Sequence, residues 1–160
     1  MTGGIIKLIV SILIFVFVLV LTRITTVYIA KLQRTGMMGD NISVIEKRLK
    51  KLKIDTGIDS FLTGLSGGVR YTPVVRYNKV HVYIAPEDIQ EAIRYLDMKE
   101  VNSGSNVVIF PLENGSYTKD YRVIDGSVVV SPLQIYLDCM QIKGRGEEMA
   151  EAVLKKEILR

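Results

Sequence analysis

Lys79-Val80-His81-Val82-Tyr83-Ile84-Ala85-Pro86-Glu87-Asp88 is the stretch that decides the fold class. Its side chains alternate, so a strand is expected over 79–85. Val80, Val82 and Ile84 then face one way and His81 and Tyr83 the other. Pro86 stops the ladder and opens a helix at its first position. Glu87 and Asp88 there suit the positive end of the helix dipole. Ile89, Ala92, Ile93 and Leu96 give that helix an apolar face. A strand running straight into an amphipathic helix belongs to a domain of mixed layers.

Downstream, Asn106 to Phe110 reads as a compact strand ended by Pro111, and Glu113-Asn114-Gly115-Ser116 reads as a turn. Arg122–Ile124 and Ser127–Val130 flank Asp125-Gly126, a hairpin signal. Ser131 is placed to cap a helix with Pro132 at its first position, continuing to about Gln141. Gly144-Arg145-Gly146 breaks it. Glu147 to Leu159 forms the last helix, with Met149, Ala150, Val153, Leu154 and Ile158 on its buried side.

Upstream, Asp59 to about Val69 reads as helical and ends in Gly64-Leu65-Ser66-Gly67-Gly68. Asn41 to Lys53 reads as a short helix. Ser43 and Glu46 have capping-box spacing, and Ile42, Ile45, Leu49 and Leu52 share one face. These elements predict an α+β chain: a transmembrane anchor over 1–31, a basic linker with a short helix over 32–56, and a small mixed-sheet domain flanked by helices over 57–160.

The anchor rests on Ile5 to Leu21, 17 residues interrupted only by Lys7 and Ser11. As a helix this run is about 26 Å long, against a hydrocarbon core of roughly 30 Å. Continuing to residue 29 completes the crossing, and Lys7 is close enough to the end to snorkel. A cleaved signal peptide fits less well, because Tyr28-Ile29-Ala30 places a bulky residue where small ones are needed. Translation starting at Met37 or Met38 is the other alternative. Arg23, Lys31 and Arg34 follow the run at once, which puts the C-terminal side in the cytoplasm.

Charge divides along the same boundary. Residues 22–53 carry eight basic residues against Asp40 and Glu46, whereas 54–160 carry 12 basic and 15 acidic. The basic character belongs to one stretch, so the body does not read as a nucleic-acid binder. The basic helix reads as solvated and packed on the domain. Anionic lipid headgroups are a compatible contact.

Little in the sequence points to catalysis. One Cys excludes an intrachain disulfide, and one His with one Cys excludes the usual zinc sets. His81 reads as a packed or surface histidine and Cys139 as a buried, inert thiol. The Leu65-Ser66-Gly67-Gly68 turn ahead of a strand resembles the phosphate-holding turn of nucleotidyltransferases. The acidic residues that hold Mg²⁺ in that family are not matched by Asn78-Lys79-Val80-His81-Val82. No catalytic residue, cofactor or metal site is therefore expected.

Several segments in order carry a more extensive likeness. They are Thr63-Gly64-Leu65-Ser66-Gly67, Val75-Arg76-Tyr77-Asn78 leading to His81-Val82-Tyr83-Ile84, and Gly104-Ser105-Asn106-Val107. Val130-Ser131-Pro132-Leu133-Gln134-Ile135-Tyr136-Leu137-Asp138 follows, then Gly144-Arg145-Gly146-Glu147-Glu148-Met149-Ala150. Over about residues 57–158 the chain resembles the C-terminal domain of the abortive-infection (AbiEi-type) antitoxins of type IV toxin–antitoxin systems. The resemblance implies a transcriptional regulator whose partner toxin is a nucleotidyltransferase, and an N-terminal winged helix that reads the operator. The 56 residues ahead of the likeness leave no room for that winged helix beside a membrane span, so specific DNA binding is not expected. Arg76, Asn78, Gln134, Tyr136, Asp138, Arg145 and Glu147 are the candidate partner-facing or motif residues, with Asp138 as a carboxylate partner for Arg145.

The expected function is a non-enzymatic, membrane-tethered, antitoxin-like regulatory or protein-interaction module. The alternatives are a divergent nucleotidyltransferase-like enzyme and an anchored interaction domain unrelated to toxin neutralisation.

Overall fold

The computed structural model describes residue 14 and residues 35–112 and 119–159. The expected span over 5–29 and the turn at Glu113–Ser116 lie outside the described residues. Among the described residues no helix is long and apolar enough to cross a membrane.

The elements run β1 (Thr35–Met38), α1 (Ile42–Thr56), β2 (Ser60–Thr63), α2 (Gly64–Tyr71) and β3 (Val80–Ile84). A 3₁₀ turn (Pro86–Asp88) leads into α3 (Ile89–Tyr95), followed by β4 (Lys99–Glu100) and β5 (Val107–Pro111). Then come β6 (Arg122–Ile124), β7 (Ser127–Val129), α4 (Pro132–Cys139), α5 (Gly146–Val153) and a closing π-helical turn (Leu154–Ile158). The strands form one seven-stranded mixed sheet in the order β4-β1-β5-β3-β2-β7-β6. The fold is α+β, as the sequence implies, with a larger sheet than expected.

β3 lies at the centre of the sheet, parallel to β5 and antiparallel to β2. All five of its residues are buried, so its alternation separates two packed faces rather than core from solvent. Residues paired across β2 and β3 share a face. Leu62 and Val82 point toward α1, whose Leu49 lies in the same groove as Leu62. Phe61, Tyr83, Thr63 and His81 point toward α4. The Asp125-Gly126 hairpin forms as read, with φ of 50° and 74° at its two central residues.

Two expectations are corrected here. The helix read over Asp59–Val69 is strand β2 followed by helix α2. β2 sits between β3 and β7 and buries Phe61, Leu62 and Thr63, and that tertiary pairing overrides the local helical spacing. The glycines do not end the helix but lie within it. A Cβ on Gly67 would stand 2.7 Å from Ile135 Cδ1, and one on Gly68 would stand 2.6 Å from the Met149 sulfur. Bare backbone lets α4 and α5 approach α2 closely.

The second correction concerns residues 32–56. The compact unit runs from Arg34 to Arg160, so it begins well before residue 57. β1 is inserted between β4 and β5, and α1 buries Ile45, Leu49 and Leu52. Asn41, not Ser43, caps α1, its side-chain oxygen accepting from the Ser43 N–H at 3.1 Å. Glu46 is drawn away from the cap. It accepts from Tyr77 Oη at 2.6 Å and pairs with Arg70 at 2.8 Å, tying α1 to α2 and the loop beyond it.

A fragment beginning at residue 57 loses Met37, Ile45, Leu49 and Leu52 from the core, all nearly or fully buried. Each such side chain contributes roughly 1.5–3 kcal/mol, and a domain of this size holds only about 5–15 kcal/mol in total. Residues 34–160 should therefore melt cooperatively, and residues 57–160 should not. Scanning calorimetry on the two fragments makes the comparison.

Candidate functional site

Ser131 and Pro132 set the phase of α4. The Ser131 hydroxyl oxygen accepts from the Gln134 N–H at 3.3 Å, and Pro132 occupies the first turn, where no N–H is needed. With the helix started there, Gln134 and Asp138 lie four residues apart and face the sheet together. Both are buried.

Thr63 and Tyr83 meet them from β2 and β3. Asp138 Oδ2 accepts from the Thr63 hydroxyl at 2.5 Å and from the Tyr83 hydroxyl at 3.0 Å. Its Oδ1 accepts from Gln134 Nε2 at 2.8 Å. Ser66 in the first turn of α2 continues the polar seam, accepting from the His81 N–H at 2.9 Å and lying 3.0 Å from the Thr63 carbonyl. Phe110 from β5 covers the same face, with its ring centroid 5.3 Å from Tyr83 and 6.2 Å from His81. The buried carboxylate thus joins one helix to two central strands.

The chemistry of this arrangement is that of a latch. Asp138 is 9% exposed, Tyr83 4% and Thr63 0%, so a substrate has little access to the carboxylate. Among the described residues no group of three His, Cys, Asp or Glu side chains is placed to hold a metal ion. The Ser66-Gly67-Gly68 backbone is covered by Ile135 and Met149 and offers no open cradle for a phosphate. Cys139, next to the latch, is buried, and burial, aided by the Asp138 charge, pushes its thiol up to about 12.

The seven candidate residues separate into four places. Gln134 and Asp138 come together in the latch, where both are buried. Tyr136 is half-buried on the next face of α4 and packs against the core. Arg76 and Asn78 are exposed in the loop ahead of β3, and Arg145 and Glu147 are exposed at the turn into α5. The expected pairing of Asp138 with Arg145 gives way to hydrogen bonds from Thr63, Tyr83 and Gln134. The outer face of α4 carries Leu133, Leu137 and Met140, all exposed at helical spacing. Thr63 and Tyr83 escaped the sequence reading. The available signal was the alternation that set His81 and Tyr83 on one face of β3, the face on which a carboxylate from another element arrives.

The family model for AbiEi antitoxins, transcriptional regulators of type IV toxin–antitoxin systems, matches residues 26–159. The chain belongs to this family. The match takes in β1 and α1 as well as the latch, and so extends further toward the N-terminus than the likeness read from the sequence. No curated protein and no solved structure matches the chain.

Replacing Asp138 by Ala takes the shared acceptor from the Thr63 and Tyr83 hydroxyls and the Gln134 amide, and a buried donor left unsatisfied costs about 1–3 kcal/mol. Asp138→Ala should lose about 2–4 kcal/mol in urea unfolding, and Tyr83→Phe about 1 kcal/mol, because other donors still serve the carboxylate.

Alkaline pH should act through three shielded acids, Tyr71 and Cys139 buried and Tyr77 half-buried. Burial pushes Tyr71 and Cys139 up to about 12. Burial, with the hydrogen bond to Glu46, does the same for Tyr77. Each gives up its proton at lower pH in the unfolded chain, from ordinary values of 9.0 for the thiol and 10.0 for the phenols. Their contribution is complete below about pH 9 and falls as pH rises toward about 12. Thermal melts across that window, with Cys139 alkylation as a parallel readout, should show stability declining and labelling appearing only on unfolding.

Proposed function

We propose that this chain is a membrane-tethered antitoxin-like module that counters a nucleotidyltransferase-type toxin without catalysing a reaction itself. Membership of the AbiEi antitoxin family is the observation that carries the reading. The latch chemistry supports a non-enzymatic role, since its one carboxylate is enclosed and hydrogen-bonded. Leu133, Leu137 and Met140 on the outer face of α4 support a role in protein contact.

In this reading residues 5–29 form a single span and the domain that follows lies in the cytoplasm. The apolar run Ile5–Leu21 and the basic residues Arg23, Lys31 and Arg34 behind it support that orientation. Regulation then proceeds through protein contacts rather than through sequence-selective reading of an operator.

Growth rescue tests the antitoxin reading. On this reading the neighbouring gene encodes a nucleotidyltransferase-type toxin, and full-length chain produced together with that gene product should restore growth to arrested cells. Continued arrest, with the chain present and folded, overturns the proposal. In the same cells the chain should stay in membranes through an alkaline wash, and protease added outside should spare the domain. Digestion of the domain would reverse the orientation.

A further inference from the structure

The register of the sheet fixes the end at which the chain enters the domain. Thr35 pairs with Ile109 in the middle of β5, and β1 runs antiparallel to it. β5 is parallel to β3, with Pro111 beside Ile84, and Ile84 pairs with Ser60 at the start of β2. β1 and β2 therefore run parallel and enter from the same end of the sheet, with Thr35 level with Leu62. The two strands are three positions apart, about 14 Å at the usual strand spacing. α1 connects Met38 at the far end to Ser60 at this one, so its C-terminal half returns to the end where the chain comes in.

The outer face of α1 is unusual. Ile45, Leu49 and Leu52 point into the core. At 100° per residue, Lys47, Lys51 and Ile54 fall on the opposite side. Ile54 is 83% exposed, the most exposed large hydrophobic residue among those described. The neighbouring charges are already engaged. Lys50 donates to the Asp125 carbonyl at 2.6 Å, Lys53 pairs with Asp59 at 2.7 Å, and Tyr95 donates to Asp55. Among the described residues Lys47 and Lys51 take part in no ion pair. Two uncommitted ammonium groups and an aliphatic tip thus form one ridge.

We propose that the Lys47–Lys51–Ile54 ridge docks on the anionic headgroups of the bilayer that anchors the chain. The inference rests on the reading of residues 5–29 as a span. On that reading four residues lie between Ala30 and Thr35, so the start of β1 stays within about 18 Å of the end of the span. Each lysine near an anionic surface favours the docked state about fivefold. Their alkyl stems lie along the interface while Ile54 enters it. Docking of this kind sets the orientation of the domain, so that α4 and its exposed apolar face are presented in a fixed direction.

The test places a nitroxide on full-length chain at Ile54→Cys, or at Val74→Cys in the loop leading to the far end of β3. Cys139 is buried and stays unlabelled. Each form is reconstituted into vesicles of phosphatidylcholine with phosphatidylglycerol, or of phosphatidylcholine alone. In anionic vesicles, position 54 should be more accessible to oxygen than to an aqueous nickel chelate, and position 74 should remain aqueous. Lys47→Gln with Lys51→Gln should lower the docked-to-undocked ratio about 25-fold, and phosphatidylcholine alone or high salt should act in the same direction. If the chain survives an alkaline wash yet position 54 stays as aqueous as position 74, docking is overturned and the span stands. A chain that washes off the vesicles overturns both. Shielding of position 54 from both reagents points to a protein contact instead and also overturns the proposal.

Discussion

The contact on which most of this structure depends is the buried Asp138 carboxylate. A carboxylate is expensive to remove from water unless its oxygens find donors. Among the described residues its donors include the Thr63 hydroxyl on β2, the Tyr83 hydroxyl on β3 and the Gln134 amide on α4 itself. Satisfying one charge therefore sets the rotation of α4, its height on the sheet and the register of β2 against β3. Apolar packing alone would tolerate small rotations of a helix. Directional hydrogen bonds to a charge do not.

Glycine provides the complementary constraint. Once α4 is latched, α2 must lie close beneath it, and the approach is too tight for side chains at Gly67 and Gly68. Ile135 and Met149 fill the space that glycine leaves. Gly146 serves the same end at the turn into α5, where a Cβ would stand 2.2 Å from the Cys139 carbonyl. A glycine-rich turn ahead of a strand invites comparison with phosphate-binding loops, yet here its openness is consumed by helix packing. The difference lies in what covers the backbone, and the local sequence does not reveal it.

Burying a charge on one side of the sheet leaves the other side to conventional packing. α1 and α3 lie together there, joined by the hydrogen bond from Arg48 to the Leu96 carbonyl and by Tyr95 on Asp55. Lys47 and Lys51 are turned outward on α1, opposite its buried face. The antitoxin domain thus has an inward polar seam that holds its shape and an outward basic ridge whose position follows from strand order.

Elements whose signals are local could be read directly from the chain. The Asp125-Gly126 hairpin, the Ser131-Pro132 helix start, the buried face of α1 and the strand at Val80–Ile84 each depend on spacing within a few residues, and each formed where expected. Family membership was also legible, because it rests on ordered motifs along the chain. β2 is not legible locally, since helical spacing over Asp59–Val69 competes with a strand that exists only because β3 and β7 flank it. β1 was assigned to a linker, since a four-residue strand gains its hydrogen bonds from β4 and β5, which lie some 60 to 70 residues away. Of the site, Gln134 and Asp138 could be singled out from their own segment, but Thr63 and Tyr83 could not. A buried polar cluster is assembled from separate elements, and its members are identified by who meets whom. Periodicity and capping within short segments determined which pieces form; long-range pairing decided which end of the sheet is shared, which carboxylate is buried and which lysines stay free.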